Sequence, residues 1–464
     1  MHTQHTGMPA RALAAGAFAL LIACLLGGCA TTNQSKGLNA EGVDEAAQFV
    51  ADKPLKLRPF YRKLYRDGEW NAVLNFNQLG LAAMDTGQLD VARKSFDQSI
   101  ARISSIYADD PNAKKALSVF SEERVKDFKG EPYERAMAFF YRGVLYAQQG
   151  DYQNARASFL AADLQGTLAE KENYDGDFGL MKYAAGWASI CAGDTERGKT
   201  LVEEAKKSDS KISALPDLPS KSLLLVDTGL APKKVGMGKY KEAVGFQPGS
   251  SADGDIVVRG PNGSLEIKEW LTGGDVYVQA STRGGRPVDA ILNGKAQFKS
   301  TANAGGDVAV ATGAAMMTSD NSNVQAAGAV VALIGLVAKG VAYATTPAAD
   351  LRQWTSLPAS VLLFTGDVEP GPGLTMVSTA NPTPVLLPVQ QRTGACWIGW
   401  GRTRSALAAE AGGVAVVADT NVEYADREAK NNAFRATLKS EFVGVATATN
   451  TQVPKKETTS AAKL

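Results

Sequence analysis

The 464-residue sequence holds only two histidines, His2 and His5, and both lie at its extreme amino terminus. If that terminus is removed on maturation, the remaining chain carries no imidazole. It then cannot run Ser-His-Asp or Cys-His nucleophilic catalysis, lacks the commonest general base near neutral pH and offers no imidazole to a metal. Cysteine is almost as scarce: Cys24 and Cys29 sit near the start, leaving Cys191 and Cys396 in the body of the chain. Two thiols cannot build a four-thiolate zinc site. They are either ordinary buried thiols or, in an oxidising compartment, a disulfide. Neither sign of charge prevails, with 49 basic and 48 acidic side chains, and no basic run resembles a nucleic-acid footprint. The expectation is a protein with no metal, no cofactor and no nucleic-acid partner.

What is present begins with an export signal. After Arg11 an uncharged run from Ala12 to Gly28 ends in Leu26-Gly27-Gly28-Cys29. The run is shorter and richer in Ala and Gly than a transmembrane span of about 20 apolar residues, and it closes in small residues suited to a peptidase. Leu-Gly-Gly-Cys resembles a bacterial lipobox. That resemblance implies that residues 1–28 are removed and that Cys29 becomes the acylated first residue, anchoring the chain to a membrane through fatty acyl groups. Ala30 stands where an Asp would imply inner-membrane retention, so the resemblance implies the outer membrane, facing the periplasm.

Beyond the anchor, residues 29–48 read as a lipidated, flexible tether and residues 447–464 as a polar, disordered tail. Residues 49–214 carry long helical patterns of Ala, Leu, Glu and Lys, and residues 215–446 turn to Gly, Val, Thr and Pro, with the change at Leu215-Pro216. The fold class expected is α+β, a helical-hairpin array followed by a β-rich domain.

The helical half repeats itself. Gly80, Gly143 and Gly186 are each followed seven residues later by Gly87, Gly150 and Gly193, then in step by Ala92, Ala155 and Gly198 and by Phe96, Phe159 and Val202. The first glycine lets two helices approach closely where the small residue faces it. The second allows the left-handed conformation that ends a helix, and the Phe fills the core between the pair. The pattern resembles the tetratricopeptide repeat, most closely from Gly143 to Ala162. Its uneven spacing, against about 34 residues in a regular array, implies insertions. One insertion at 109–134 is expected to add a helix with Leu117, Phe120, Val125 and Phe128 as its apolar positions.

In the second half, short strands are expected at Ser222–Asp227, Asp255–Arg259, Ser264–Trp270, Asp275–Ala280 and Val361–Phe364, separated by Gly-Gly, Asn-Gly and Pro-Gly turns. Antiparallel, sandwich-like sheet is the natural class. An apolar segment at Val324–Tyr343, broken by Lys339, reads as one helix buried against that sheet rather than a membrane span.

Phe128-Lys129-Gly130-Glu131-Pro132-Tyr133-Glu134-Arg135, with Thr228-Gly229-Leu230-Ala231-Pro232-Lys233-Lys234 and Asp350-Leu351-Arg352-Gln353-Trp354, resembles poorly characterised bacterial tetratricopeptide-repeat lipoproteins. The resemblance implies an envelope lipoprotein and no known reaction. By itself the first of these segments has a structural meaning: Gly130 ends one helix, Pro132 suits the first turn of the next, and Glu131 and Glu134 oppose its positive end.

Three functions follow. In tetratricopeptide arrays the inner helix faces bind partner segments, which places Leu74, Asn77, Leu81, Met84, Met137, Phe140, Tyr141, Val144, Leu180, Tyr183 and Trp187 in an apolar groove. Of these, Leu81, Met84, Phe140, Tyr141, Tyr183 and Trp187 are the principal candidates for contact with an envelope protein. Equally, aromatic helix faces are usually core, and the chain's own insertion or second domain would fill such a groove. The second function is a histidine-independent glycan hydrolase using two carboxylates, with Glu122, Glu123, Glu131 and Glu134 as candidates. The third is a purely structural envelope scaffold. An interaction or assembly component, not an enzyme, is the expectation.

Overall fold

The computed structural model describes residues 35–37, 40–107, 127–128, 130–167, 178–209, 212, 214–239, 243–250, 253–282, 350–366, 373–393, 396–404, 422–424 and 428–442. The expected signal peptide, Cys29, most of the 109–134 insertion, the apolar segment at 324–343 and the tail lie outside them. The chain mixes helix and sheet and divides into two units. The described part of the smaller unit is an antiparallel pair of strands, β1 (Ser35–Gly37) and β13 (Val422–Tyr424). The larger unit comprises residues 38–297, 347–421 and 429–464.

Two helices, α1 (Ala40–Ala51) and α2 (Arg58–Asp67), precede three helical hairpins: α3 (Ala72–Asp85) with α4 (Leu89–Tyr107), α5 (Pro132–Gln148) with α6 (Tyr152–Thr167), and α7 (Gly179–Cys191) with α8 (Thr195–Ser208). The repeated glycines explain the hairpins. Gly87, Gly150 and Gly193 have φ of 71°, 79° and 90°. At each turn two hydrogen bonds close the helix end in the same way, as in Gly87 N–H to Met84 O at 3.0 Å and Gln88 N–H to Ala83 O at 2.8 Å. Inside the first two pairs the close approach falls on the Phe rather than on the expected Ala. A Cβ on Gly80 would lie 2.9 Å from Phe96 Cζ, and one on Gly143 would lie 2.5 Å from Phe159 Cε1. In the third pair a Cβ at Gly186 would meet backbone as well as a side chain, with the Gly198 carbonyl oxygen at 2.9 Å and Val202 Cγ2 at 2.8 Å.

The strands begin at β2 (Ser222–Thr228), followed by β3 (Lys233–Met237), β4 (Ala243–Gln247), β5 (Ile256–Arg259), β6 (Glu266–Ile267) and β7 (Leu271–Asp275). A short helix, α9 (Val276–Thr282), precedes β8 (Ser360–Gly366), β9 (Thr375–Ser378), β10 (Val385–Leu386), β11 (Val389–Thr393) and β12 (Cys396–Arg402). A five-stranded sheet runs β11-β12-β2-β8-β7, a four-stranded one β10-β9-β5-β6, and β3-β4 form a hairpin. The antiparallel expectation fails at one place: β2 and β12 are parallel, Asp227 standing opposite Arg402. A long excursion separates them in sequence, and such a connection frees a strand from the antiparallel pairing that a tight hairpin imposes.

Alternation along the central strands makes three layers. Leu223 and Leu225 of β2, Val361 and Leu363 of β8, and Ile398 and Trp400 of β12 join the cluster that contains the inward faces of the helices. Leu224, Val226 and Trp397, on the opposite face, pack with Ile256, Val258, Ile267 and Met376 of the smaller sheet. All seven β2 residues are therefore buried, as expected of a strand covered on both sides. The change of composition near Leu215 marks the passage from helix to strand, yet one hydrophobic cluster spans it.

Two expected elements differ. Asp275–Ala280 is helical over its greater part, because the Asp275 carboxylate accepts the Val278 N–H at 3.0 Å as a helix cap and Val276 and Ala280, four apart, share the buried face. The Ser264–Trp270 strand shrinks to Glu266–Ile267. The carboxyl-terminal helix α10 (Glu428–Glu441) was not expected. It returns to the start of the helical half, where Phe434 meets Phe76 and Phe442 meets Tyr61 and Phe76.

Candidate functional site

The inner helix faces are covered by the chain itself. Leu81, Met84, Phe140, Tyr141, Tyr183 and Trp187 all have no exposed surface. Three of them are also tied by their polar atoms. Tyr141 Oη donates to Asp227 Oδ2 at 2.6 Å, Tyr183 Oη to the Pro216 carbonyl at 3.2 Å and Trp187 Nε1 to the Lys221 carbonyl at 3.4 Å. Tyr141 further meets Trp354 and Trp400 edge-on. The chain thus fills its own inner face, one of the two readings that the sequence leaves open. Alanine at Tyr183 or Trp187 would consequently open a core cavity, costing about 3–5 kcal/mol, rather than remove a contact with a partner.

The three segments carrying the family resemblance, far apart in sequence, meet at one buried junction. Pro132 opens α5, and Glu131 with Glu134 closes a reciprocal capping box on its first turn. Lys234 Nζ, on β3, lies 3.1 Å from Glu131 Oε1 and 3.5 Å from Glu134 Oε2 and donates to the Arg352 carbonyl at 2.7 Å. The other Glu134 oxygen accepts the Trp354 N–H at 2.5 Å. Arg352 in turn reaches Asp350 at 2.7 Å and Asn71 Oδ1 at 2.9 Å, its guanidinium lying over the rings of Trp70 and Phe128. Asn71 passes the connection to Asp67, donating at 3.0 Å.

Electrostatics show what this junction does. Burial raises the Glu134 carboxyl above its ordinary range and the neighbouring Glu131 adds to the rise, against the opposing charge of Lys234 and the backbone hydrogen bonds from Glu131 and Trp354. Burial acts upward on Asp350 as well, but the charge and hydrogen bonds of Arg352 outweigh it and lower that carboxyl. Asp67 is raised by burial against the amides of Asn75 and Asn71. These groups lock α5 to β3 and the 350–354 segment.

A second buried cluster lies where β2 and β12 face the helices. Asp227 Oδ2 stands 3.6 Å from Arg402 Nε, and Asp85 Oδ2 stands 3.9 Å from Arg402 Nη1. Arg402 Nη2 donates to the Ser356 carbonyl at 2.5 Å. Burial, with Asp85 adding to it, pushes Asp227 up to about 6 against the opposing effects of Arg402 and Tyr141.

Cys191, at the end of α7, and Cys396, the first residue of β12, form a disulfide with Cα atoms 5.9 Å apart. Of the carboxylates named for hydrolysis, Glu122 and Glu123 lie outside the described residues. Glu131 and Glu134 share one helical turn and one ammonium, and do not face each other across a cleft. Sequence reading missed Lys234, Arg352, Asp227 and Arg402 as a group; the available signal was that three motif-like segments each carried a charge beside Pro or an aromatic ring. Comparison with protein-family models, with curated proteins and with solved structures gives no match.

Proposed function

We propose that this chain is an outer-membrane-anchored periplasmic lipoprotein serving as an interaction or assembly component, built on a tetratricopeptide-like array whose inner face is filled by its own sandwich-like sheets. The single observation that carries the reading is the Cys191–Cys396 disulfide. A covalent link of this kind persists in oxidising compartments such as the periplasm, which agrees with the export signal and with Cys29 as the acylated residue. The buried ionic groups support a non-enzymatic role. A glycan hydrolase holds its two carboxyls about 5–10 Å apart across a cleft, whereas the acids found here are consumed in tying helices to strands.

With the inner face occupied, partners meet the outward surface of the assembly. Mass spectrometry of the purified native product tests the anchor: an acylated Cys29 at the amino terminus is expected, and an unmodified thiol or a retained His5 overturns the reading. Site-specific crosslinking in intact cells tests the role. A crosslinker at exposed Leu164 on α6 is expected to trap a discrete envelope protein; products confined to lipid or absent from every outward position would count against an interaction component.

A further inference from the structure

Lys234 Nζ and the Glu131 carboxyl are an amine and an acid held together away from solvent. The two approach to 3.1 Å, and their side chains are 2 % and 7 % exposed. Glu134 Oε2 lies 3.5 Å from the same nitrogen, on a side chain 1 % exposed. The ring of Phe128, itself buried, stands 5.7 Å from Nζ. A buried charge pair repays its desolvation poorly, whereas a neutral amide between the same groups carries no charge to desolvate. Holding the two groups in contact also supplies the proximity that a bimolecular condensation lacks.

We propose that Lys234 and Glu131 form an intramolecular cross-linking site, at which the amine condenses with the side-chain carboxyl to an isopeptide amide while Glu134 carries the proton. The ion pair is the precursor. The Lys234 ammonium hands one proton to the Glu134 carboxylate. The freed Nζ lone pair attacks Glu131 Cδ, and a C–N bond forms as one C–O bond breaks. The departing oxygen takes the proton held by Glu134 and a second one from the nitrogen, and leaves as water. Ammonium and carboxylate thus become amide and water with no redox change, and Glu134 ends as it began.

The hydrogen bonds assign the amide to Glu131 and not to Glu134. Both oxygens of Glu134 accept backbone N–H groups, from Trp354 at 2.5 Å and from Glu131 at 2.7 Å, and losing either oxygen would break one of these bonds. The oxygen that Glu131 keeps can go on accepting the Glu134 N–H that caps the first turn of α5. The product amide retains one N–H, which can serve the Arg352 carbonyl, 2.7 Å from Nζ. Burial raises the Glu134 carboxyl, which suits it to accept a proton from the ammonium. The amide ties the start of α5 to β3, where Glu134 and Lys234 stand 100 residues apart in sequence, and it holds whether or not the disulfide is reduced.

Losing Lys234 removes ion pair and amide alike, so mass rather than stability is the readout. The full chain, purified in its folded state, is denatured, reduced and digested with trypsin. The main product expected is Gly130–Arg135 joined to Lys234–Lys239, uncleaved after Lys234, at the sum of the two peptide masses less one water. Fragmentation should place the amide on Glu131. Separate Gly130–Arg135 and Val235–Lys239 as the main products, or an amide on Glu134, would overturn the proposal. Glu134→Gln, with native circular dichroism, is expected to lose most of the linked pair, and an undiminished yield in that folded variant would overturn the proton-carrying role. Should the variant fail to fold, the digest of the unaltered protein decides by itself.

Discussion

Trp354 donates its backbone N–H to Glu134 at 2.5 Å across 220 residues of sequence, so a carboxylate that caps its own helix also holds a distant segment in place. The same carboxylate faces Lys234. Helix start, β3 and the 350–354 segment are therefore parts of one arrangement.

Lys234→Met tests that arrangement. The ammonium is buried between Glu131 and Glu134, and its removal leaves carboxylates without compensation, a loss of about 3–5 kcal/mol. Lys233→Met, on the exposed neighbour, should change stability by less than about 0.5 kcal/mol. Equilibrium urea unfolding of both variants at pH 7 measures the contrast, and a cost below 1 kcal/mol for Lys234→Met would show that the junction contributes little.

The helical hairpins were legible because their signals are local. Gly87, Gly150 and Gly193 announce turns, and Phe96 and Phe159 mark the packed face, each within one hairpin of its partner. The covering of that face was not legible. Tyr141 and Trp187 are apolar and aromatic whether they meet a partner or a strand, and only the fold brings Asp227 and Lys221 to their polar atoms. The same holds for β2–β12, a pairing between segments separated by most of the second half, and for α10, whose Phe434 and Phe442 give no hint that they pack on Phe76. Asp275–Ala280 misleads for a different reason: β-branched and aromatic residues alternate there, but the cap supplied by Asp275 and the buried pair four residues apart decide for a helix.

Two glycines of the first two hairpins separate sterics from backbone strain. Gly143→Ala places a Cβ 2.5 Å from the Phe159 ring, forcing a repacking worth about 1–3 kcal/mol. Gly87→Ala meets no atom within 4 Å, yet its φ of +71° costs an L-residue roughly 1–2 kcal/mol. Phe159→Leu in the Gly143→Ala background should recover part of the first loss. No second-site change in side-chain size should recover the second, and thermal unfolding of the single and double variants distinguishes the two outcomes.

The carboxyl-terminal helix should be required by the amino-terminal helices. Phe442 is fully buried between Tyr61 and Phe76, while Asn431 Oδ1 accepts the Glu69 N–H at 3.1 Å and Arg435 donates to the Tyr65 carbonyl at 3.0 Å. Phe442→Ala is expected to cost about 3–5 kcal/mol. Hydrogen exchange should then show protection falling first in α2 and α3. Loss spread evenly over the chain, with α2 and α3 no worse than α8, would mean that α10 is a peripheral addition.

Reduction of the disulfide gives the sharpest test of how helices and sheet are joined. Cys191 and Cys396 are separated by 205 residues, and closing a loop of that length removes unfolded-chain entropy worth about 5 kcal/mol in the loop-closure model. The native contacts around it are dense, with Trp187 one turn before Cys191 in the same helix and Ile398 just after Cys396 in the same core, so the fold should survive reduction while its stability drops. Cys191→Ser with Cys396→Ser is expected to retain the helical and sheet content of the oxidised protein by circular dichroism and to unfold at markedly lower urea. An unchanged midpoint would show that the unfolded chain gains no freedom when the link is cut, and a collapse of secondary structure would show that the layers cannot hold together without it.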